Sequence, residues 1–143
     1  MKRLTVTRLL EFDAAHRVMN HESKCATLHG HRYKIEIEAT APNLDAIGRV
    51  IDFSVIKAKI GTWLDAEWDH TTILSSEDEQ TIQALHAAPS FKPVFIAPWN
   101  PTAENMAKHL LEVVCPEQLA GTDVAVTRVR VWETPNCYAE AVL

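Results

Sequence analysis

Three histidines and a cysteine dominate the chemistry this sequence can carry. His29 and His31 stand two apart in "CATLHGH", and His16 closes the upstream "FDAAH". On an extended strand, positions i and i+2 point to the same side, so the two imidazoles of the HGH element share a face. An antiparallel neighbour ending at His16 would set a third imidazole opposite them. Three neutral imidazoles around one point suit a zinc ion and leave the fourth tetrahedral position for water or substrate, the pattern of a catalytic rather than a structural site. Gly30 keeps the opposite face clear of a side chain and permits a close approach or a bulge there. Each histidine alone reads as an ordinary surface or core residue, and it is the spacing of all three that points to metal.

Cys25 admits four roles: a fourth ligand, a nucleophile, a base, or a small buried hydrophobe. Its i, i+4 spacing from His29 across a loop is not knuckle geometry. A thiol beside a dication loses its proton more readily, which makes a thiolate base or nucleophile available at neutral pH. Asp69 and His70, in "WDHTTIL", supply a carboxylate and an imidazole, the parts of an oriented general acid or base. Consecutive residues are expected to point their side chains apart, so this pair reads first as a helix-end feature. Glu133 ends the strand-like "RVRVWET" and can accept two N–H donors from a guanidine-like ring edge, as in a pterin or guanine. A solvent-facing strand-end glutamate is the plainer reading. Thr102 and Glu104 of "NPTAEN" read as an N-cap and a first-turn acid.

Elements able to position these groups are visible in the hydrophobic pattern. Thr5–Phe12 is rich in β-branched and apolar residues. Arg32–Thr40 alternates strictly, with Tyr33, Ile35, Ile37 and Ala39 on one face. They read as an antiparallel pair, with His16 at the end of the first strand and a long loop, about Arg17 to Leu28, leading into the histidines. Asp52 is placed to cap a helix whose stripe is Phe53, Ile56, Ile60 and Leu64, with Ile51 and Ile56 as a hydrophobic staple. Ser76 with Glu79 reads as the capping box of a short second helix. Val94–Ile96 is a short extended piece, and Thr102 caps a third helix through Cys115, with Met106, Leu110 and Val113 or Val114 inward. A valine-rich strand, Asp123–Glu133, and a last strand, Tyr138–Val142, follow. The order β-β-α-(α)-α-β-β predicts an α+β domain over residues 1–143, its antiparallel sheet covered by helices on one face.

Composition narrows the function classes. A formal net charge of −5 argues against a general nucleic-acid surface, which needs a basic stripe to neutralise phosphates. The sequence contains neither a run of about 18 apolar residues for a membrane span nor a secretory h-region at its start. A cytoplasmic protein is the expectation. Three irregularly spaced cysteines, Cys25, Cys115 and Cys137, do not make a disulfide framework.

Taken in order, "FDAAH", "CATLHGHRY", "VIDF", "WDHTTIL", "PTAEN" and "ET" resemble the 6-pyruvoyltetrahydropterin synthase / 6-carboxytetrahydropterin synthase family along nearly the whole chain. The resemblance implies zinc on His16, His29 and His31, a catalytic cysteine at Cys25 working with Asp69 and His70, and a pterin-anchoring glutamate at Glu133 with a lesser role for Thr102. It implies a tunnelling fold, a four-stranded antiparallel sheet with helices on one face, joined as trimers into a barrel and stacked as a homohexamer with active sites between subunits. The implied substrate is 7,8-dihydroneopterin triphosphate. The implied product is 6-carboxytetrahydropterin, on the route to queuosine, or else a 6-pyruvoyl product that keeps the side chain. Arg17 and Lys24 are candidates for the triphosphate, and Ser75–Trp99 is an insertion without a role. Two other readings are a non-catalytic pterin- or zinc-binding module on the same fold and a hydrolase with Cys25 as nucleophile and His70 as its base.

Overall fold

The computed structural model describes residues 3–143. Strand β1 (Val6–His16) and strand β2 (His29–Thr40) form the expected antiparallel pair. Their register runs from Val6 opposite Ala39 to His16 opposite His29. The alternation of β2 is obeyed residue by residue, with Tyr33, Ile35, Ile37 and Ala39 fully buried. Helix α1 (residues 53–67) is α-helical at both ends with a π-helical turn, Lys57–Gly61, between them. Asp52 caps it by accepting from the Ser54 N–H. Ile56, Ile60 and Leu64 are buried as the stripe requires, whereas Phe53, in the first turn, is half exposed.

Helix α2 (Glu79–His86) and helix α3 (residues 103–118) follow, the latter capped by Thr102 and also interrupted by a π-helical turn, Leu110–Val114. Met106, Leu110 and Val114 face the core while Val113 faces out. Strands β5 (Ala125–Thr134) and β6 (Cys137–Val142) close the chain.

Two further strands correct the expected order. Thr71–Ser75 is β3, and Phe95–Ala97, at the extended piece expected over Val94–Ile96, joins the sheet as β4, so the sheet is mixed and six-stranded, ordered β4-β3-β1-β2-β5-β6, not four-stranded and antiparallel. β1, β2, β5 and β6 are antiparallel neighbours as expected, and β3 and β4 add in parallel on the outer side of β1. β3 is five residues long and buried at four of them, so it lacks the alternation that marks a half-buried strand. Helices α1 and α3 cover one face through the shared core. The other face of β2, β5 and β6 carries a ladder of Glu36, Glu38, Arg128, Arg130 and Glu140. No helix among the described residues is long and apolar enough to cross a membrane.

The cap of α2 also differs from expectation. Asp78, not Ser76, occupies the N-cap position, and its side chain makes no capping bond. It is buried and accepts from Arg17 Nη1 at 2.9 Å. This ties the segment after β3 to the residue that follows His16. Removing one partner of such a pair strands a buried charge, and partial exposure of Arg17 softens the cost. Asp78→Ala is expected to lower unfolding free energy by about 2–3 kcal/mol in urea titration; a change within about 0.5 kcal/mol would mean that water already screens the pair.

Candidate metal centre and its surroundings

The metal-type cluster forms where β1 ends and β2 begins. His16 and His29 are cross-strand partners and His31 lies two residues along, so all three rings meet on the core-side face. One nitrogen from each lies within 4.8 Å of the others. Gly30 between the two β2 histidines relieves a tight approach, since a Cβ there would meet the Ala14 carbonyl oxygen at 3.3 Å.

Main-chain carbonyls set the tautomers. His16 Nδ1 is 2.7 Å from the Pro101 oxygen and His29 Nδ1 is 2.6 Å from the Thr27 oxygen. A carbonyl can only accept, so both rings carry their proton on Nδ1 and present a bare Nε2. Those two Nε2 atoms face each other at 3.1 Å. His31 Nε2 is buried with no hydrogen-bond partner. Two opposed lone pairs and an orphaned third nitrogen fit a cation among them; tetrahedral zinc holds nitrogens about 3.3–3.4 Å apart. Burial lowers the His16 pKa from 6.5 to about 4, opposed by the Pro101 bond and reinforced by His29 and His31. His31 is lowered likewise, by burial and then by His29. His16 and His31 are therefore neutral near pH 7 and ready to ligate.

Tyr33 stands beside the cluster with its ring edge-on to His16 and His31, and its buried hydroxyl has no partner. Burial raises its pKa, and Glu133 and then Cys25 raise it further. Glu133 Oε1 approaches His16 Nε2 at 4.0 Å but does not belong to the group of mutually close ligand atoms formed by the three histidines. Its carboxyl is held above the usual range by burial and by Glu104, and eased by His29. The Glu104 carboxylate thus bears on Glu133, where local rules presented it only as a first-turn residue of α3. Its signal was the i, i+2 spacing from Thr102, which is uninformative without the approach of β5.

Cys25 lies half-buried in a short helical turn, Lys24–Ala26, and its sulfur is not in the cluster of mutually close ligand atoms. Thr102 caps α3 by accepting from the Asn105 N–H at 3.2 Å. Arg17 is engaged by Asp78, and Lys24 is exposed.

Asp69 and His70 correct the expectation that neighbours in sequence diverge. His70 adopts a positive φ of 58°, and its Nδ1 donates to Asp69 Oδ2 at 2.9 Å. Asp69 Oδ1 accepts from the Asp13 N–H at 3.0 Å. The insertion contributes here, because Lys92 Nζ donates to the main-chain oxygens of Asp65 and, at 2.6 Å, of Asp69. The pair belongs with Asp13, which points away from the core-facing Phe12, Ala14 and His16. It opens on a cavity of about 940 Å³ that also takes in Arg32, His86 and Lys92. Within one chain this pair groups with Asp13 and not with the three histidines.

Opposed imidazole lone pairs call for a metal, and the thiol and acids beside them call for a small molecule to act on, which is the class of metal-using α+β enzymes. Comparison with known proteins narrows that class. The family model described as 6-pyruvoyl tetrahydropterin synthase matches residues 5–142, and the chain belongs to this family. A Rickettsia bellii protein named 6-carboxy-5,6,7,8-tetrahydropterin synthase is 42% identical over 134 residues, covering 94% of this chain and 96% of that protein. Among solved structures, an uncharacterized protein of Wolinella succinogenes superposes with a TM-score of 0.82 at 20% identity, covering 99% of each chain. The Caenorhabditis elegans 6-pyruvoyl tetrahydropterin synthase superposes at 0.69 and 21% identity, covering 100% of this chain and 97% of that one. At those identities the likeness concerns the fold.

Proposed function

We propose that this chain is a zinc-dependent 6-carboxy-5,6,7,8-tetrahydropterin synthase, converting 7,8-dihydroneopterin triphosphate and one water to 6-carboxytetrahydropterin with release of triphosphate and acetaldehyde. The observation that carries the reading is the set of bare, mutually facing imidazole nitrogens with the Glu133 carboxylate 4.0 Å from His16 Nε2. Relatives of about 41% identity with the 6-carboxy name support the choice of product.

His16, His29 and His31 would hold the zinc. When bound, it supplies Lewis acidity toward the hydroxyls of the substrate side chain, easing loss of adjacent protons. Glu133 binds the pterin ring edge by accepting two N–H donors, and the Thr102–Glu104 segment closes the other side of that subsite. Cys25 Sγ takes a proton from the side-chain carbon as thiolate, the state a neighbouring dication favours. His70 accepts and returns protons at Nε2, since its Nδ1–H is committed to Asp69.

The chain works in this reading as a homohexamer, a dimer of trimers, in the cytoplasm and on the route to queuosine and other 7-deazapurines. Association brings the Asp69–His70 pair of one copy toward the Cys25 loop of the next. The grouping of that pair with Asp13 rather than with the histidines and the exposure of β6 at the sheet edge support this arrangement. Incubation of the zinc-loaded protein with 7,8-dihydroneopterin triphosphate is expected to give the mass of 6-carboxytetrahydropterin together with acetaldehyde. A product that retains the three-carbon side chain would assign the 6-pyruvoyl reaction instead, and an unchanged substrate would reject both.

A further inference from the structure

Asn100 joins three parts of the site that lie far apart in sequence. Its side-chain Oδ1 accepts from the Met19 N–H at 2.9 Å and its Nδ2 donates to the Met19 carbonyl at 3.1 Å. One amide thus satisfies both main-chain groups of a residue 81 positions away, as a neighbouring strand would. Asn100 is itself held, because its carbonyl accepts from Asn105 Nδ2 at 2.9 Å and from the Thr102 N–H at 2.8 Å. The next residue is Pro101, whose carbonyl sets the His16 tautomer. Thr102 and Glu104 follow.

Met19 is the point at which this bracing reaches the thiol. The adjacent Val18 is buried and donates its N–H to the Cys25 carbonyl at 3.0 Å, closing the loop on itself. Immediately after Met19, Asn20 takes a positive φ of 62°, so the chain reverses at the clamp. Apart from the His29 ring on the Thr27 carbonyl, the two Asn100 bonds are the only hydrogen bonds among the described residues that reach residues 18–27 from elsewhere in the chain.

We propose that Asn100 is the positioning residue for Cys25, fixing the thiol-bearing loop in register with the segment that orients His16 and carries Glu104. The proposal rests on the proton-moving role of Cys25 given above. A proton acceptor works only from within hydrogen-bond reach, and a misplacement of about 1 Å costs on the order of 100-fold in rate. Metal binding is set by other contacts, since the histidines sit on paired strands and keep their own carbonyl partners.

The test compares zinc-loaded wild type with Asn100→Ala. Expected are a fall in kcat of about 100-fold, KM within about threefold, unchanged zinc content, and alkylation of Cys25 by iodoacetamide, read by peptide mass, faster on the order of tenfold as the loop opens. A purely structural role would instead lower zinc content and melting temperature, with kcat per zinc-loaded chain and the alkylation rate unchanged; that result, or an unchanged kcat, overturns the proposal. Should Asn100→Ala not fold, Asn105→Ala frees the Asn100 main chain while sparing the clamp amide. It is expected to move kcat and alkylation in the same directions by less, and no movement in either overturns the proposal. If the wild type releases no triphosphate, the functional reading fails by itself, and the alkylation comparison still decides whether Asn100 places the thiol.

Discussion

Cys25→Ala is expected to reduce triphosphate release by about 10³-fold or more while the protein keeps its fold and its metal. General acid–base groups contribute about 10²–10⁴-fold, and the sulfur proposed to take the proton from carbon falls within that range. The residue is half-buried in a surface loop and belongs to none of the core clusters, so its truncation leaves no cavity of consequence. It is also outside the group of mutually close ligand atoms, so zinc content measured by atomic absorption should match the wild type. The combination discriminates between roles. Loss of zinc along with activity would make Cys25 a ligand, and full activity with full zinc would make the chain a binding module. A covalent adduct trapped on Cys25 would make it a nucleophile.

His29→Ala is expected to have the other large effect, on metal and turnover together. Three imidazoles supply all the protein ligands of the proposed site, and a catalytic zinc keeps three such ligands with one position open. Deleting one leaves two, so zinc content should fall from about one per chain to a small fraction, and turnover by about 10³-fold or more. His29 is the informative choice because it is partly exposed and its loss leaves the buried His16–Pro101 bond in place. Chelator treatment of the wild type should reproduce the loss of activity, and added zinc should restore it to the wild type but not to the variant. Retention of one zinc per chain by His29→Ala would remove the cluster as the metal site.

Much of this arrangement was legible because it is local. His29 and His31 share a face by the period of a strand, and His16 meets them because antiparallel pairing of two alternating segments has one register that buries Phe12 against Tyr33. Asp52 and Thr102 announce their helices by the same kind of near-neighbour rule. β3 was hidden by being short and buried on both sides. The capping role assigned to Ser76 failed because the residue at the start of α2 answers to Arg17, a partner from another element. The pairing of Asp69 with His70 needed a positive φ that no rule of alternation anticipates.

By itself, then, the amino-acid sequence determined the face on which three imidazoles gather, the helices that cover the sheet, and the residue types available for zinc, proton transfer and ring recognition. These follow from periodicity, which is a property of each segment alone. The tertiary structure decided the rest. Only packing showed that Pro101 and Thr27 hold the ring protons on Nδ1 and leave the facing Nε2 atoms bare, that Glu104 raises the Glu133 carboxyl, and that the Asp69–His70 pair groups with Asp13 and not with the histidine cluster. Only packing showed Asn100 gripping the loop of Cys25. Each of these depends on groups tens of residues apart whose meeting is fixed by the common core, and a local pattern holds no record of which distant backbone carbonyl or amide will arrive beside it.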